Sequence, residues 1–223
     1  LTSNGDMVTG AQTINNKEYY FTSEGVMVRG WHKENDKWKY YSPKKMSIYG
    51  RTFVEGEKVT GWLPLGNRWY YIANDDYMVT GYYKVGNSTY YFDESGLMKT
   101  RWFKINGEDY YAASSGAIQA QWVKSLSNWY YVDVDGKMVT GYQTINGAKY
   151  YFASSGLMQK DWFKINGEDY YAASSGTIQA QWVKSGRNWY YVDTDGKMVT
   201  GDYIIDGKVN YFDNQGLWMN KMN

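Results

Sequence analysis

Residues Gln181–Thr200 read QWVKSGRNWYYVDTDGKMVT. Two runs rich in aromatic and β-branched residues flank a turn near Gly186, and a second turn follows at Asp195-Gly196. Short apolar runs separated by glycine turns are typical of β-hairpins. Because close or looser copies of this stretch fill most of the chain, the fold depends on how one hairpin meets the next.

The copies recur with a period of 20 residues. If the first residue of each copy is position 1, the copies begin at Gly10, Gly30, Gly61, Gly81, Arg101, Gln121, Gly141, Asp161, Gln181 and Gly201. The period is broken once, where Gly30–Tyr49 reads as a complete copy and Gly50–Thr60 as a truncated repeat without its aromatic strand. We therefore predict a single repeat domain over 1–223, with ten hairpin repeats and a truncated repeat at 50–60.

The turn at positions 6 and 7 determines which side chains share a face of the hairpin. Several copies carry Asn-Gly there, as at Asn166-Gly167, and this pair tolerates the positive φ angles of a two-residue type I′ turn. Position 2 then faces position 11, so positions 2, 9 and 11 share one face and positions 3, 5, 10 and 12 share the other. Because a lone hairpin is only marginally stable, we predict an all-β solenoid of stacked β-hairpins.

The composition excludes several classes of protein and site. The net charge of +1 gives no long-range attraction for nucleic acid or an anionic membrane, and no apolar run is long enough for a transmembrane segment. Without cysteine there are no disulfides and no thiolate metal sites. The lone His32 has no catalytic partner in the sequence, and Asp133-x-Asp135-Gly136 lacks the remaining ligands of a calcium loop. We therefore expect no catalytic residue, no metal and no cofactor.

The tryptophans are the residues that point to a ligand. Positions 2 and 9 are both Trp in four copies, as the pairs Trp31/Trp38, Trp62/Trp69, Trp122/Trp129 and Trp182/Trp189. Two other copies keep the repeat with Asp109 or Asp169 at position 9, so the second indole is not needed for the period. Two indoles and a Tyr of the next copy would form an open aromatic box, suited to a quaternary ammonium or to a stacked sugar ring. The alternative is that these rings only pack between hairpins.

One copy carries the pattern G-W-x6-W-Y-Y-x6-M-x-T, as Gly61-Trp62, Trp69-Tyr70-Tyr71 and Met78-Val79-Thr80. This pattern resembles the choline-binding repeat of surface proteins and cell-wall lytic enzymes of pneumococci, related streptococci and their phages. The resemblance implies a left-handed solenoid in which choline lies between consecutive repeats, held by two aromatic residues of one hairpin and one of the next. The same superfamily includes glucan-binding repeats of streptococcal glucosyltransferases, so a glucan or another glycan is the alternative ligand.

The resemblance implies three choline sites, each a tryptophan pair with a tyrosine of the next copy. They are Trp62 and Trp69 with Tyr91, Trp122 and Trp129 with Tyr151, and Trp182 and Trp189 with Tyr211. The choice of position 11 for the tyrosine rests on the shared face, and position 10, which is Tyr90 or Tyr150 in two of these sites, stays open. Trp31 and Trp38 are weaker candidates, because the truncated repeat after them offers only Phe53.

Choline is not expected at every joint between repeats. A second period of 60 residues is superimposed on the first, since Arg101–Ala120 and Asp161–Ala180 differ at only two positions. Copies with Asp109 or Asp169 lack the second indole, and copies that begin Gly-Tyr lack both. We therefore expect choline at roughly every third joint.

The resemblance implies a non-catalytic module that binds choline or phosphocholine of teichoic and lipoteichoic acids. Such a module would hold a secreted protein on the surface of a Gram-positive cell wall. In a second reading, the chain is the targeting part of a murein hydrolase whose catalytic domain is absent from it. Some members of this family dimerise through their last repeats, so the resemblance also allows a homodimer through Gly201–Asn223.

Overall fold

The computed structural model describes residues 4–219, and this part of the chain is a series of antiparallel hairpins without a helix. The strands are β1 (Gly10–Ile14), β2 (Lys17–Phe21), β3 (Gly30–Glu34), β4 (Lys37–Tyr41), β5 (Met46–Ile48), β6 (Arg51–Phe53), β7 (Gly61–Leu65), β8 (Arg68–Ile72), β9 (Gly81–Val85), β10 (Ser88–Phe92), β11 (Arg101–Ile105), β12 (Glu108–Ala112), β13 (Gln121–Ser125), β14 (Asn128–Val132), β15 (Gly141–Ile145), β16 (Ala148–Phe152), β17 (Asp161–Ile165), β18 (Glu168–Ala172), β19 (Gln181–Ser185), β20 (Asn188–Val192), β21 (Gly201–Ile205), β22 (Lys208–Phe212) and β23 (Trp218–Met219). The predicted all-β class is confirmed.

The pairing inside each copy follows the predicted register. In β13 and β14, Trp122 lies opposite Tyr131 and Lys124 lies opposite Trp129, which places positions 2, 9 and 11 on one face. In the next hairpin the turn residues Asn146 and Gly147 have φ angles of 50° and 80°, as a type I′ turn requires.

A short loop follows each hairpin and returns the chain toward the next copy. In one of these loops the Asp133 carboxylate accepts hydrogen bonds from the amides of Asp135 and Lys137, at 3.0 and 2.9 Å. The Asp133-x-Asp135 motif therefore forms an Asx-type turn. The loop ends where Met138, at position 18, pairs with Val132 of its own hairpin.

Successive hairpins stack with opposite faces in contact. Trp62, at position 2, packs against Tyr90 and Phe92, at positions 10 and 12 of the next copy. The backbones are joined as well, because the amide of Met98, at position 18, donates to the carbonyl of Trp69, at position 9 of the preceding copy. This stacking, repeated along the chain, is the predicted solenoid of hairpins.

The described chain falls into two compact units built from the same hairpins. One unit runs up to Lys104 and includes Tyr111–Ile118, and the other comprises Ile105–Tyr110 and the residues from Gln119 onward. Position 12 supplies buried core side chains in both units, namely Tyr41, Ile72, Phe92, Ala112, Val132, Phe152, Ala172, Val192 and Phe212. Each hairpin thus contributes to a series of small cores.

The irregular stretch after Gly30–Tyr49 forms an extra hairpin inside a loop. Strands β5 and β6 pair across Tyr49 and Gly50, and Lys58 then pairs with Tyr41 as Met138 pairs with Val132 elsewhere. Where the sequence suggested a truncated repeat at 50–60, the structure has a short inserted hairpin, after which residues 54–60 complete the loop of the copy that begins at Gly30.

Lys58 occupies a position that is methionine in many copies. The cost of burying its positive charge is offset by two carboxylates. The Lys58 side chain is 7% exposed, and its ammonium group forms ion pairs with Glu18 and Asp76. Burial alone would lower the pKa of Lys58, but hydrogen bonds from its ammonium group to Asp76 and Glu18 raise that pKa above its ordinary value. A buried charge of this kind is stable only because it is paired.

Candidate functional site

Four copies present two tryptophans side by side on one face. Positions 2 and 9 lie diagonally across the hairpin, so the two indoles meet edge to face. The ring centroids are 6.5 Å apart for Trp31 and Trp38, 6.1 Å for Trp62 and Trp69, 6.2 Å for Trp122 and Trp129, and 6.5 Å for Trp182 and Trp189. Each pair is one wall of a cleft, which we name after its position-2 tryptophan.

A third ring from the next copy stands nearly perpendicular to the position-2 indole. It is Tyr70 in the Trp31 cleft, at 5.1 Å; Tyr90 in the Trp62 cleft, at 4.9 Å; and Tyr150 in the Trp122 cleft, at 5.0 Å. All three tyrosines occupy position 10 of their copies. The structure therefore assembles two indoles and one phenol at three joints.

The position-11 tyrosines lie elsewhere. Tyr91 and Tyr151 stack on Phe103 and Phe163 of the copy that follows them, at 5.4 and 5.5 Å between ring centroids. The expectation of position 11 assumed that neighbouring hairpins present the same face to the cleft. Because each hairpin instead presents its opposite face to the one before it, the tyrosine that reaches the tryptophan pair is at position 10, the alternative that the sequence left open.

The Trp182 cleft reaches the same geometry with a different residue. Position 10 of the next copy is Asn210, and the third ring is Trp218, 5.4 Å from Trp182 at an interplanar angle of 75°. The indole nitrogen of Trp218 donates a hydrogen bond of 3.1 Å to Asn210 Oδ1, which fixes the ring in place. Tyr211, the residue expected here, lies opposite Asp202 and Met219 in the sheet and is 40% exposed.

The Trp31 cleft is as complete as the others. Its volume is about 260 Å³, and Trp31, Trp38, Tyr70, Met78 and Ser95 line it. The sequence made this site a weaker candidate because the only aromatic residue of the truncated repeat that follows it is Phe53. Since the inserted hairpin leaves the next regular copy in place, Tyr70 reaches the tryptophan pair.

The Trp122 cleft is larger and has a polar side. Its volume is about 390 Å³. The residues that line it are Trp122, Trp129, Tyr150, Met158, Lys160, Ser174 and Ser175. Met158 is nearly fully buried and brings a polarisable thioether to the aromatic rings.

The joint that follows the copy beginning at Asp161 lacks the second indole but keeps the rest of the arrangement. Trp162 lies 5.4 Å from Tyr190 at 73°, much as Trp122 lies against Tyr150. Position 9 is Asp169 in this copy, and its carboxylate pairs with Lys164 at 2.7 Å. The contact between positions 2 and 10 therefore belongs to the stacking of hairpins, whereas the tryptophan at position 9 is what distinguishes the four clefts.

The side chains that could ligate a metal ion are not clustered in the described residues. No group of three or more His, Cys, Asp or Glu side chains among them is arranged to hold a metal ion. His32 packs against Tyr20, 4.4 Å away between ring centroids. Residues 4–219 also contain no helix that is long and apolar enough to cross a bilayer.

Comparison with known proteins gives the family. A profile described as "Choline-binding repeat" matches residues 8–46, 59–103, 139–179 and 180–221, which is more than half of the chain. The chain belongs to the choline-binding repeat family. A second profile, "Putative cell wall binding repeat", matches residues 100–118 and 121–138. The predicted function class, a cell-wall-binding module, is confirmed at the level of the family.

Solved structures from Streptococcus pneumoniae share the fold. CbpJ is 26% identical, with a TM-score of 0.66 over 95% of this chain and 94% of that one. Choline binding protein F is 25% identical, with a TM-score of 0.63 over 96% of this chain and 93% of that one. The choline-binding domain of CbpL is 25% identical, with a TM-score of 0.55 over 86% and 98%. No curated protein matches this chain in sequence.

Proposed function

We propose that this choline-binding repeat module binds choline in the Trp31, Trp62, Trp122 and Trp182 clefts. The observation that carries the proposal is the second indole, because it is dispensable for stacking and yet completes a three-ring cleft wherever it occurs. Ring faces attract a quaternary ammonium, which has no hydrogen bond to donate. Three mutually inclined rings present such faces on several sides of one cation.

Several weak sites together would attach the protein firmly to a polymer. One cation–π site contributes only about 2 kcal/mol, but repeated sites on one chain raise the effective concentration for a ligand that carries many cholines. We assign this role to the phosphocholine groups of teichoic and lipoteichoic acids, which places the secreted protein on the bacterial cell wall. Support comes from the family and from a choline binding protein F structure determined in the presence of a peptidoglycan analogue.

Binding to a tertiary-amine resin tests the ligand. We expect the protein to be retained, to be eluted by free choline and to stay bound in dextran. The matched variants are Trp129→Asp, which copies the residue at Asp169, and Trp102→Ala, which changes a position-2 tryptophan outside the four clefts. Trp129→Asp should remove one choline in calorimetry and Trp102→Ala none. Elution by dextran alone would contradict choline binding and favour a glucan ligand.

The apolar face of the β21–β22 hairpin supports the homodimer that some members of the family form. Ile204 and Val209 are cross-strand neighbours and are each 68% exposed, although the last residues of this repeat, 220–223, lie outside the described part. A second copy that packs on this face would bury both side chains. Sedimentation should show a dimer that the Val209→Lys variant dissociates, and a monomeric wild-type protein at high concentration would contradict the pairing.

A further inference from the structure

We propose that the Trp122 cleft recognises the phosphate of a choline phosphate ester as well as its ammonium group, through Lys160 with help from Ser174 and Ser175. The inference rests on the proposed binding of choline and adds a specificity-determining residue to one of the four clefts. The three polar residues line the same 390 Å³ cleft as Trp122 and Trp129. They come from the next two copies along the chain.

Lys160 is available for a ligand. It is the only charged residue among the described residues that line this cleft, its side chain is exposed, and it forms no ion pair within the described part of the chain. The equivalent position 20 is Thr80 for the Trp31 cleft and Thr100 for the Trp62 cleft. The residues that line the Trp31 cleft carry no charge, so that cleft is an internal control.

The two serines lie in a loop whose backbone is held by two hydrogen bonds. The amide of Ala173 donates to the carbonyl of Thr177 at 2.9 Å, and the amide of Gly176 donates to the carbonyl of Ala173 at 2.7 Å. Ser174 and Ser175 are exposed between these bonds, and the Ser175 hydroxyl also contacts the Thr177 hydroxyl at 2.8 Å. Their hydroxyls therefore supply hydrogen-bond donors in the cleft that Lys160 also lines.

A lysine beside a cation-binding cleft affects choline and phosphocholine in opposite directions. Its positive charge repels the trimethylammonium of free choline, and it attracts the phosphate of phosphocholine, whose oxygens are strong acceptors. For an exposed pair the gain for phosphocholine should be about three- to fivefold in affinity. The effect should fall as the salt concentration rises, because exposed charges are screened.

Methionine methyl NMR of the intact protein resolves the two clefts. Met158 lines the Trp122 cleft and Met78 lines the Trp31 cleft, so their ε-methyl signals, assigned with Met→Leu variants, report each site separately. Titrations use choline, phosphocholine and inorganic phosphate. We expect Met158 to report tighter binding of phosphocholine than of choline and Met78 to report no such preference, with inorganic phosphate alone leaving both signals in place.

The variant Lys160→Thr installs the residue that the Trp31 and Trp62 clefts have at this position. We expect it to weaken phosphocholine binding at Met158 by about three- to fivefold and to leave or slightly strengthen choline binding, with Met78 unchanged. An equal response of Met158 to both ligands, or a preference that survives Lys160→Thr, overturns the inference. A Met158 signal that moves with inorganic phosphate but not with choline contradicts both proposals, whereas clefts that bind both ligands alike contradict only this one.

Discussion

At the scale of single residues, the two tryptophans of a cleft have different roles. Trp122 contacts Trp129, Tyr150 and Phe152, so it belongs to the stacking of one hairpin on the next. Trp129 stands at a position where the related copies carry Asp109 or Asp169. We therefore expect the first ring to be needed for the fold and the second ring to be needed for the ligand.

Substitution should separate these roles. We expect Trp122→Ala to lower the free energy of unfolding by about 3 kcal/mol, because it removes a ring packed against the next copy. Trp129→Asp should lower it by only about 1 kcal/mol and still remove one choline site. Denaturant unfolding and calorimetry measure the two effects. A Trp129→Asp variant that is as unstable as Trp122→Ala would assign both tryptophans to packing.

The reverse substitution should create a site. Trp162 and Tyr190 already stand 5.4 Å apart in the required orientation, and the amide of Met198 donates to the carbonyl of Asp169 as that of Met158 does to Trp129. The variant Asp169→Trp supplies the missing indole, and we expect it to raise the choline stoichiometry by one in calorimetry. Asp169→Leu is the control for the loss of the ion pair with Lys164. An unchanged stoichiometry for Asp169→Trp would show that three rings are not sufficient.

At this scale the sequence identifies the tryptophans but not their partner. The pairing of position 2 with position 11 follows from the turn alone, whereas the choice between Tyr90 and Tyr91 depends on which face the next hairpin presents. The third ring of the Trp182 cleft is harder to predict. It is Trp218 at position 18, whereas the three other clefts have a tyrosine at position 10. In the sequence, this exchange is indicated only by Asn210 at position 10 together with a tryptophan at position 18 of the same copy.

At the scale of the elements, the joint between copies depends on a glycine at position 16. A Cβ on Gly156 would lie 2.2 Å from the sulfur of Met138, whereas a Cβ on Gly147 would meet no atom within 4 Å. Both residues have positive φ, at 76° and 80°. The pair therefore separates close packing from backbone strain.

Alanine substitution should show this difference in stability. We expect Gly147→Ala to cost about 1 kcal/mol, from backbone strain alone. Gly156→Ala should cost roughly 2 kcal/mol more, because Met138 must move out of its packed position. Thermal or urea unfolding of the two variants measures both values. Equal costs would mean that the methionine yields easily and does not hold the joint.

The sequence predicts each regular hairpin, but it does not predict the inserted hairpin formed by β5 and β6. Alternating aromatic residues around Asn-Gly turns fix both strands and register. In the irregular copy, the residue that closes the loop is Lys58 rather than methionine, and its buried ammonium group is recognisable only once Glu18 and Asp76 are seen beside it. Without that pairing, residues 50–60 look like part of a separate repeat.

At the scale of the whole molecule, binding should depend on the number of clefts. A variant that carries Trp69→Asp, Trp129→Asp and Trp189→Asp keeps one three-ring cleft of four, since the Trp31 cleft is unchanged. We expect it to lose attachment to choline-bearing cell walls almost completely, because avidity requires several simultaneous contacts. Each single variant should retain most of the attachment. Normal wall binding by the triple variant would contradict polyvalent anchoring.

The stack of hairpins follows from the sequence because no single copy can bury its own faces. The sequence does not predict which face of a hairpin meets its neighbour, because a hairpin with two apolar faces could pack with either one. That choice of face decides which tyrosine joins each tryptophan pair.

A crystal structure determined at saturating choline tests the central claim most directly. We predict one choline in each of the Trp31, Trp62, Trp122 and Trp182 clefts, with the trimethylammonium group enclosed by the three rings, and none at the Trp162 joint, where Asp169 replaces the second indole. Choline at every joint, or four clefts that stay empty at saturation, would contradict the account.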